Sequence, residues 1–219
     1  MPATNHSYAE RGKSDAGALR ELRLALRAFA RGSEQAGQQV GNARHAPAAL
    51  CEARKLTDEV EDLIALERAR ESRRVRCTAR EIALSARLAL PKQWRARLLL
   101  VEDGLDEVLY TDGRTAARAL ARLLRNAFEA GSELVLLLTE RRGTRLCFCV
   151  LDRAPGHGCE LECPPEPFAV ARVGHVGIGL SLAWREAELL EGGLRLSRLQ
   201  GGGTRAELEL KLQAKARRR

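Results

Sequence analysis

Near the start of the chain the apolar residues fall at Leu19, Leu22, Leu26 and Phe29. These steps of three and four residues make the seam of an amphipathic helix. Gly32, Gly37, Gly41 and Asn42 interrupt the pattern, so a turn is expected between Arg31 and Ala46. Pro47 suits the first turn of a second helix, whose seam runs through Ala49, Ala53, Leu56, Val60 and Leu63. Two helices joined this way form a hairpin that cannot bury both seams by itself, and pairing into a four-helix dimer solves that problem. Residues 1–14 are polar and aperiodic and read as a loose leader.

After "ERARESRRVR" the period changes. "RARLLLVEDG", "EVLYTDG", "ELVLLLTERRG", "RLCFCVLD", "LRLSRLQ" and "RAELELKL" are short apolar or alternating runs separated by turn signals, and they read as strands. Helical patterns lie between them at Thr78–Leu90, Arg114–Ala130 and Gly179–Leu190. This order predicts an α+β layer, a mixed sheet with helices on one face. The expected organisation is a leader (1–14), a dimerisation hairpin (15–74), an α+β domain (75–212) and a basic tail (213–219).

Composition narrows the picture in three ways. Leu, Ala and Arg dominate and aromatics make up only 4%, so the core is expected to be aliphatic. The net charge of +8 draws partly on the ending "KLQAKARRR". Such a tail can touch nucleic acid, but no RNA-binding signature or zinc-finger spacing accompanies it, and a solvated terminus is the plainer reading. No apolar run approaches a membrane span and no signal peptide is apparent. The six cysteines form no regular framework, so free thiols in a reducing cytoplasm are expected.

Motifs in the second part then appear in a fixed order: "LLRNAFEAG", "VLDRAPGHG", "PEPF", "GHVGIGLSLAWREAELLEGG" and "GGGTRAELEL". From about Arg76 to Leu212 this resembles the ATP-binding domain shared by sensor histidine kinases, the Hsp90 chaperone, gyrase B and the MutL repair protein, with histidine kinases the nearest in pattern. The resemblance implies a Bergerat-type α/β sandwich that holds ATP or ADP. It implies that Asn126 offers its carbonyl oxygen to a magnesium ion and that Asp152 accepts from the adenine amino group. Gly156, Gly177 and Gly179 would let the backbone approach the nucleotide, Leu180 would open a helix whose N-terminus favours phosphate charge, and Thr204 would follow the last glycine loop. The N-terminal hairpin resembles the bacterial kinases' dimerisation domain, with "RELR" at the site of the phospho-accepting histidine. A cytoplasmic homodimer that meets a response regulator or another kinase is what this likeness implies.

The departures are chemical. Arg20 stands where the family has its histidine, beside the matching acid Glu21. A guanidinium has no lone pair to attack a phosphoryl group, so no catalytic residue is assigned. Leu24 replaces the family's usual Thr or Asn. Arg122, one turn before Asn126, replaces a second magnesium ligand or a general base. Glu129 stands where many of these kinases are basic, and "RAPG" and His175 alter two glycine turns. The expected protein is a degenerate histidine kinase that acts by dimerising and binding partners. The alternatives are an active atypical kinase or ATPase, or a nucleic-acid-associated protein on the same scaffold. Cys147, Cys149, His157, Cys159 and Cys163 are zinc-ligand types, but their spacing matches no standard module, and zinc is not expected from it.

Overall fold

A computed structural model describes residues 73–154 and 179–212. The leader, the hairpin with Arg20, Glu21 and Leu24, the segment holding Gly156, His157, Cys159, Cys163, His175 and Gly177, and the basic tail lie outside the described residues.

Strand β1 (Val75–Thr78) pairs antiparallel with β3 (Val108–Thr111). Between them come helix α1 (Ala79–Leu88), the single turn α2 (Lys92–Arg95) and β2 (Leu98–Leu100). Then follow α3 (Gly113–Glu129), β4 (Val135–Arg142), β5 (Arg145–Asp152), α4 (Gly179–Leu189), β6 (Gly193–Arg198) and β7 (Thr204–Lys211). A five-stranded sheet has the order β2-β4-β5-β7-β6, with β2 parallel to β4 and the other pairs antiparallel. The expected strands and long helices are present within a residue or two of their predicted ends, except that the run "RARLLLVEDG" forms a strand only at Leu98–Leu100. β1 and α2 were not anticipated: "VRCT" is too short to show a period, and α2 buries no residue that would mark one.

Local chemistry explains the boundaries. Thr78 caps α1 through a reciprocal capping box with Glu81. Asp112 caps α3 by accepting from the N–H groups of Arg114 and Thr115. The β4–β5 hairpin turns on two residues, and Gly143 takes the left-handed φ of 62° that its first position needs.

Helices α3 and α4 cover one face of the sheet, and α1 packs on α3. The inner face carries Leu137, Leu146, Phe148, Val150, Leu208 and Leu210, all fully or almost fully buried. They meet Leu120, Leu123 and Leu124 of α3 and Ala183 and Ala187 of α4 in one core. Each such aliphatic side chain contributes about 1.5–3 kcal/mol of burial. Among the described residues, no helix is long and apolar enough to cross a membrane.

Two residues after α4, Glu191 has a φ of 52°, which is unusual for a non-glycine. Its carboxylate is held there by ion pairs to Arg74 and to Lys211, the latter at 2.8 Å. Hydrogen bonds from Arg74 and Lys211 draw the Glu191 carboxyl down from 4.5 to about 2. A depressed folded-state value means that the stabilisation is present above the ordinary value and is lost as pH falls through the folded one. Melting temperature should therefore fall between about pH 4.5 and pH 2, and Glu191→Gln should remove part of that slope. The group is exposed to solvent, so the change is small. Parallel pH profiles of the two proteins that coincide would refute it.

Candidate functional site

Asp152 ends β5 and is 5% exposed. Its Oδ1 accepts from the backbone N–H of Ala154 at 3.0 Å and of Thr204 at 3.3 Å. No bond reaches Oδ2 within the described residues. One carboxylate oxygen is thus fixed while the other keeps its lone pairs, which suits it to receive an external donor. Next to it, the backbone N–H of Arg153 donates to Ser132 Oγ at 3.1 Å, so the start of the turn after β5 is tied to the loop before β4.

The glycine loop before β7 makes this arrangement. Gly201, Gly202 and Gly203 have φ values of 90°, 99° and 95°. They connect β6 to β7 as a five-residue hairpin loop, because Arg198 pairs with Thr204. A Cβ on Gly203 would lie 2.1 Å from the Asp152 carbonyl oxygen. The absence of a side chain there lets the loop lie against β5 and brings Thr204 to the carboxylate. Asp152 and Thr204, both expected at the site, are therefore joined.

The other predicted residues that fall within the described ones are placed but not joined. Asn126 is exposed on α3. Gly179 is the first residue of α4, and a Cβ there would meet nothing within 4 Å. Leu180 is half-buried against the core.

Arg122 stands where the resemblance expects a second magnesium ligand or a general base. Its Nε lies 3.3 Å from Oε2 of Glu186 on α4, and Glu186 is fully buried. Arg118, one turn earlier, places Nε 3.2 Å from the other oxygen. Two arginines at i and i+4 repel on an isolated helix. Here the carboxylate of the neighbouring helix compensates both and joins α3 to α4. Sequence reading missed Glu186, because a Glu within a helix shows nothing of what the opposing helix carries.

The outer face of the sheet holds a second polar group. Cys147 and Cys149 lie on it, fully buried, and Glu207 of β7 stands opposite Cys149. Glu207 accepts from Arg142, and from Arg205 Nε at 2.7 Å; Arg205 also meets Glu140 at 2.7 Å. Burial works against the Glu207 charge, but the bonds from Arg142 and Arg205 prevail and hold its carboxyl below the usual range. The hydrogen bond between the thiols draws Cys149 down, against burial and with help from Arg205.

No protein-family model and no curated protein matches the chain. Solved structures do. The histidine kinase AdeS of Acinetobacter baumannii aligns with 89% of this chain and 98% of its own, at 18% identity and a TM-score of 0.63. Full-length ShkA, solved in complex with AMPPNP, aligns with 93% of this chain at 17% identity and a TM-score of 0.62; the match spans 46% of ShkA. The catalytic domain of the histidine kinase ThkA aligns with 65% of this chain and 99% of its own, at 17% identity and a TM-score of 0.53. Likeness at such identities speaks for the fold alone. In fold, the described part of the chain is a histidine-kinase-type ATP-binding domain.

Proposed function

We propose that this protein is a degenerate histidine kinase: a homodimer that binds an adenine nucleotide and acts through a protein partner, without phosphorylating itself on histidine. The observation that carries the nucleotide reading is Asp152. It is a nearly buried carboxylate with Oδ1 fixed by Thr204 and Ala154 and Oδ2 left for a donor. An exocyclic amino group of a purine is such a donor. ShkA, of similar fold, was solved with AMPPNP.

The magnesium side of the reading differs. On α3 the resemblance assigns Asn126 as ligand, and the position one turn earlier is Arg122, a cation that pairs with Glu186 and cannot ligate magnesium. One neutral amide makes a weak magnesium site, since the ion usually takes carboxylates plus phosphates. Nucleotide is therefore held mainly through its base, with little dependence on the metal.

Calorimetric titration of the full chain with ADP, with and without magnesium, tests this. Binding should appear in both conditions, and Asp152→Ala should weaken it at least about tenfold, because a hydrogen bond to a charged group contributes about 1.5–3 kcal/mol. No heat in either condition, or equal affinity in Asp152→Ala, would reject the reading.

The homodimer reading comes from the seams Leu19/Leu22/Leu26/Phe29 and Leu56/Val60/Leu63. Burying several Leu-sized side chains at about 1.5–3 kcal/mol each is enough to drive association. In sedimentation at micromolar concentration the wild type should be a dimer and Leu26→Glu a monomer. A monomeric wild type would refute it. Once the hairpin is joined this way, its polar stripe is available to a protein partner such as a response regulator or another kinase.

A further inference from the structure

The thiols on the outer face of the sheet have a geometry that the nucleotide reading does not use. Cys147 and Cys149 are two residues apart on β5, and both side chains are fully buried. Their sulfurs are 3.6 Å apart. Glu207 Oε1, from the next strand, lies 3.8 Å from Cys149 Sγ. All three ligand atoms fall within 4.8 Å of one another.

Two close thiols suggest a disulfide first, and the strand opposes it. A rise of about 3.3 Å per residue separates same-face Cβ atoms two residues apart by roughly 6.5 Å, whereas a disulfide wants about 3.5–4.5 Å. Closing the bond would pull β5 out of its ladders with both β4 and β7. A bridging ion makes no such demand. With metal–sulfur bonds of about 2.3 Å and a tetrahedral angle, two thiolates on one ion sit about 3.8 Å apart. The observed sulfur separation is close to that without any backbone movement.

We propose that Cys147, Cys149 and Glu207 form a site for a thiophilic divalent cation of the zinc class. Two sulfurs and one carboxylate oxygen suit zinc or cadmium, and they do not suit magnesium or calcium, which take oxygen shells. Three ligands among the described residues leave a fourth position for another donor.

The surroundings agree in charge and orientation. Arg142 and Arg205 balance Glu140 and Glu207. A divalent ion on two thiolates then adds no net charge to a buried place, where unbalanced charge is costly. The oxygen nearest Cys149, Oε1, already accepts from Arg142 and Arg205, so an ion takes up Glu207 by displacing one of these bonds or through Oε2, which accepts one bond, from Arg142 Nη1 at 3.2 Å. Arg205 Nη2 donates to Cys149 Sγ at 3.2 Å. Such outer bonds orient metal ligands. Spacing in the sequence did not reveal this set, because Glu207 follows Cys149 by 58 residues and joins it only through strand pairing. The bound ion would tie β5 to β7 through their side chains.

The test uses the full chain, reduced and stripped of metal, titrated with cobalt(II). Expected are thiolate-to-cobalt charge-transfer bands and the visible bands of tetrahedral cobalt at one equivalent, both displaced by zinc. Cys147→Ser and Cys149→Ser should abolish them, Glu207→Gln should weaken binding at least about tenfold, and Cys159→Ser with Cys163→Ser should leave them unchanged. X-ray absorption on the zinc-loaded wild type should show two sulfurs around the ion, a readout that does not depend on how the variants fold. No bands, a shell with fewer than two sulfurs, or bands that disappear with Cys159 and Cys163 instead would overturn the site.

Discussion

Incubated with γ-labelled ATP and magnesium, the wild-type chain should take up no acid-labile, base-stable phosphate, and neither should Arg20→His. The first half follows from Arg20, whose guanidinium offers no lone pair near neutral pH. The second half follows from the ATP-binding domain. Phosphoryl transfer needs a triphosphate and its metal held in line with the acceptor, and misplacement by about one ångström can cost on the order of a hundredfold. Arg122 stands where the resemblance expects a metal ligand, and it is bound to the buried Glu186. Returning an Asn to position 122 would leave Glu186 with less compensating charge, and breaking a buried pair costs about 3–5 kcal/mol. The ion pair between α3 and α4 thus opposes placing a metal ligand at position 122 by one substitution. Label on the wild type would refute the reading of the protein as a degenerate kinase. Label on Arg20→His alone would mean that only the hairpin is disarmed.

Gly203→Ala should lower the free energy of unfolding by about 3 kcal/mol or more, against about 1 kcal/mol for Gly201→Ala. Both glycines have left-handed φ, 95° and 90°. Their surroundings separate them: a Cβ on Gly203 meets the Asp152 carbonyl oxygen at 2.1 Å, and one on Gly201 meets nothing within 4 Å. Relief of the clash must move the loop away from β5, which also breaks the bond from Thr204 to Asp152. Gly203→Ala should therefore lose nucleotide affinity as well as stability, while Gly201→Ala keeps its affinity. Urea unfolding and calorimetric titration of the two variants decide the matter, and equal losses in both would show that the close approach is unimportant.

Much of the described fold was legible in the sequence because its periods are strong. "ELVLLLTERRG" and "RLCFCVLD" are bounded by turn residues, and they became the hairpin of β4 and β5. The helical pattern from Arg114 to Ala130 carries a long apolar stripe, and it became α3. β1 was invisible because four residues are too few to establish a period, and its partner β3 lies some thirty residues on in the chain. At the site, Asp152 and Thr204 were both named from motif order, but the contact between them depends on the β5–β7 register and on Gly203. Sequence placed Arg122 one turn before Asn126 and could not say which way it turned.

By itself, then, the sequence determined the alternation of strands and helices and the absence of a nucleophile at position 20. These depend on neighbours along the chain: a period, or the chemistry of one group. Tertiary structure alone decided that Arg118 and Arg122 share the buried Glu186, that Thr204 reaches Asp152, and that Cys147 and Cys149 meet Glu207. In each case the partners are separated by tens of residues, and the energy of the contact comes from burial and charge compensation, which exist only after the sheet and its helices have packed.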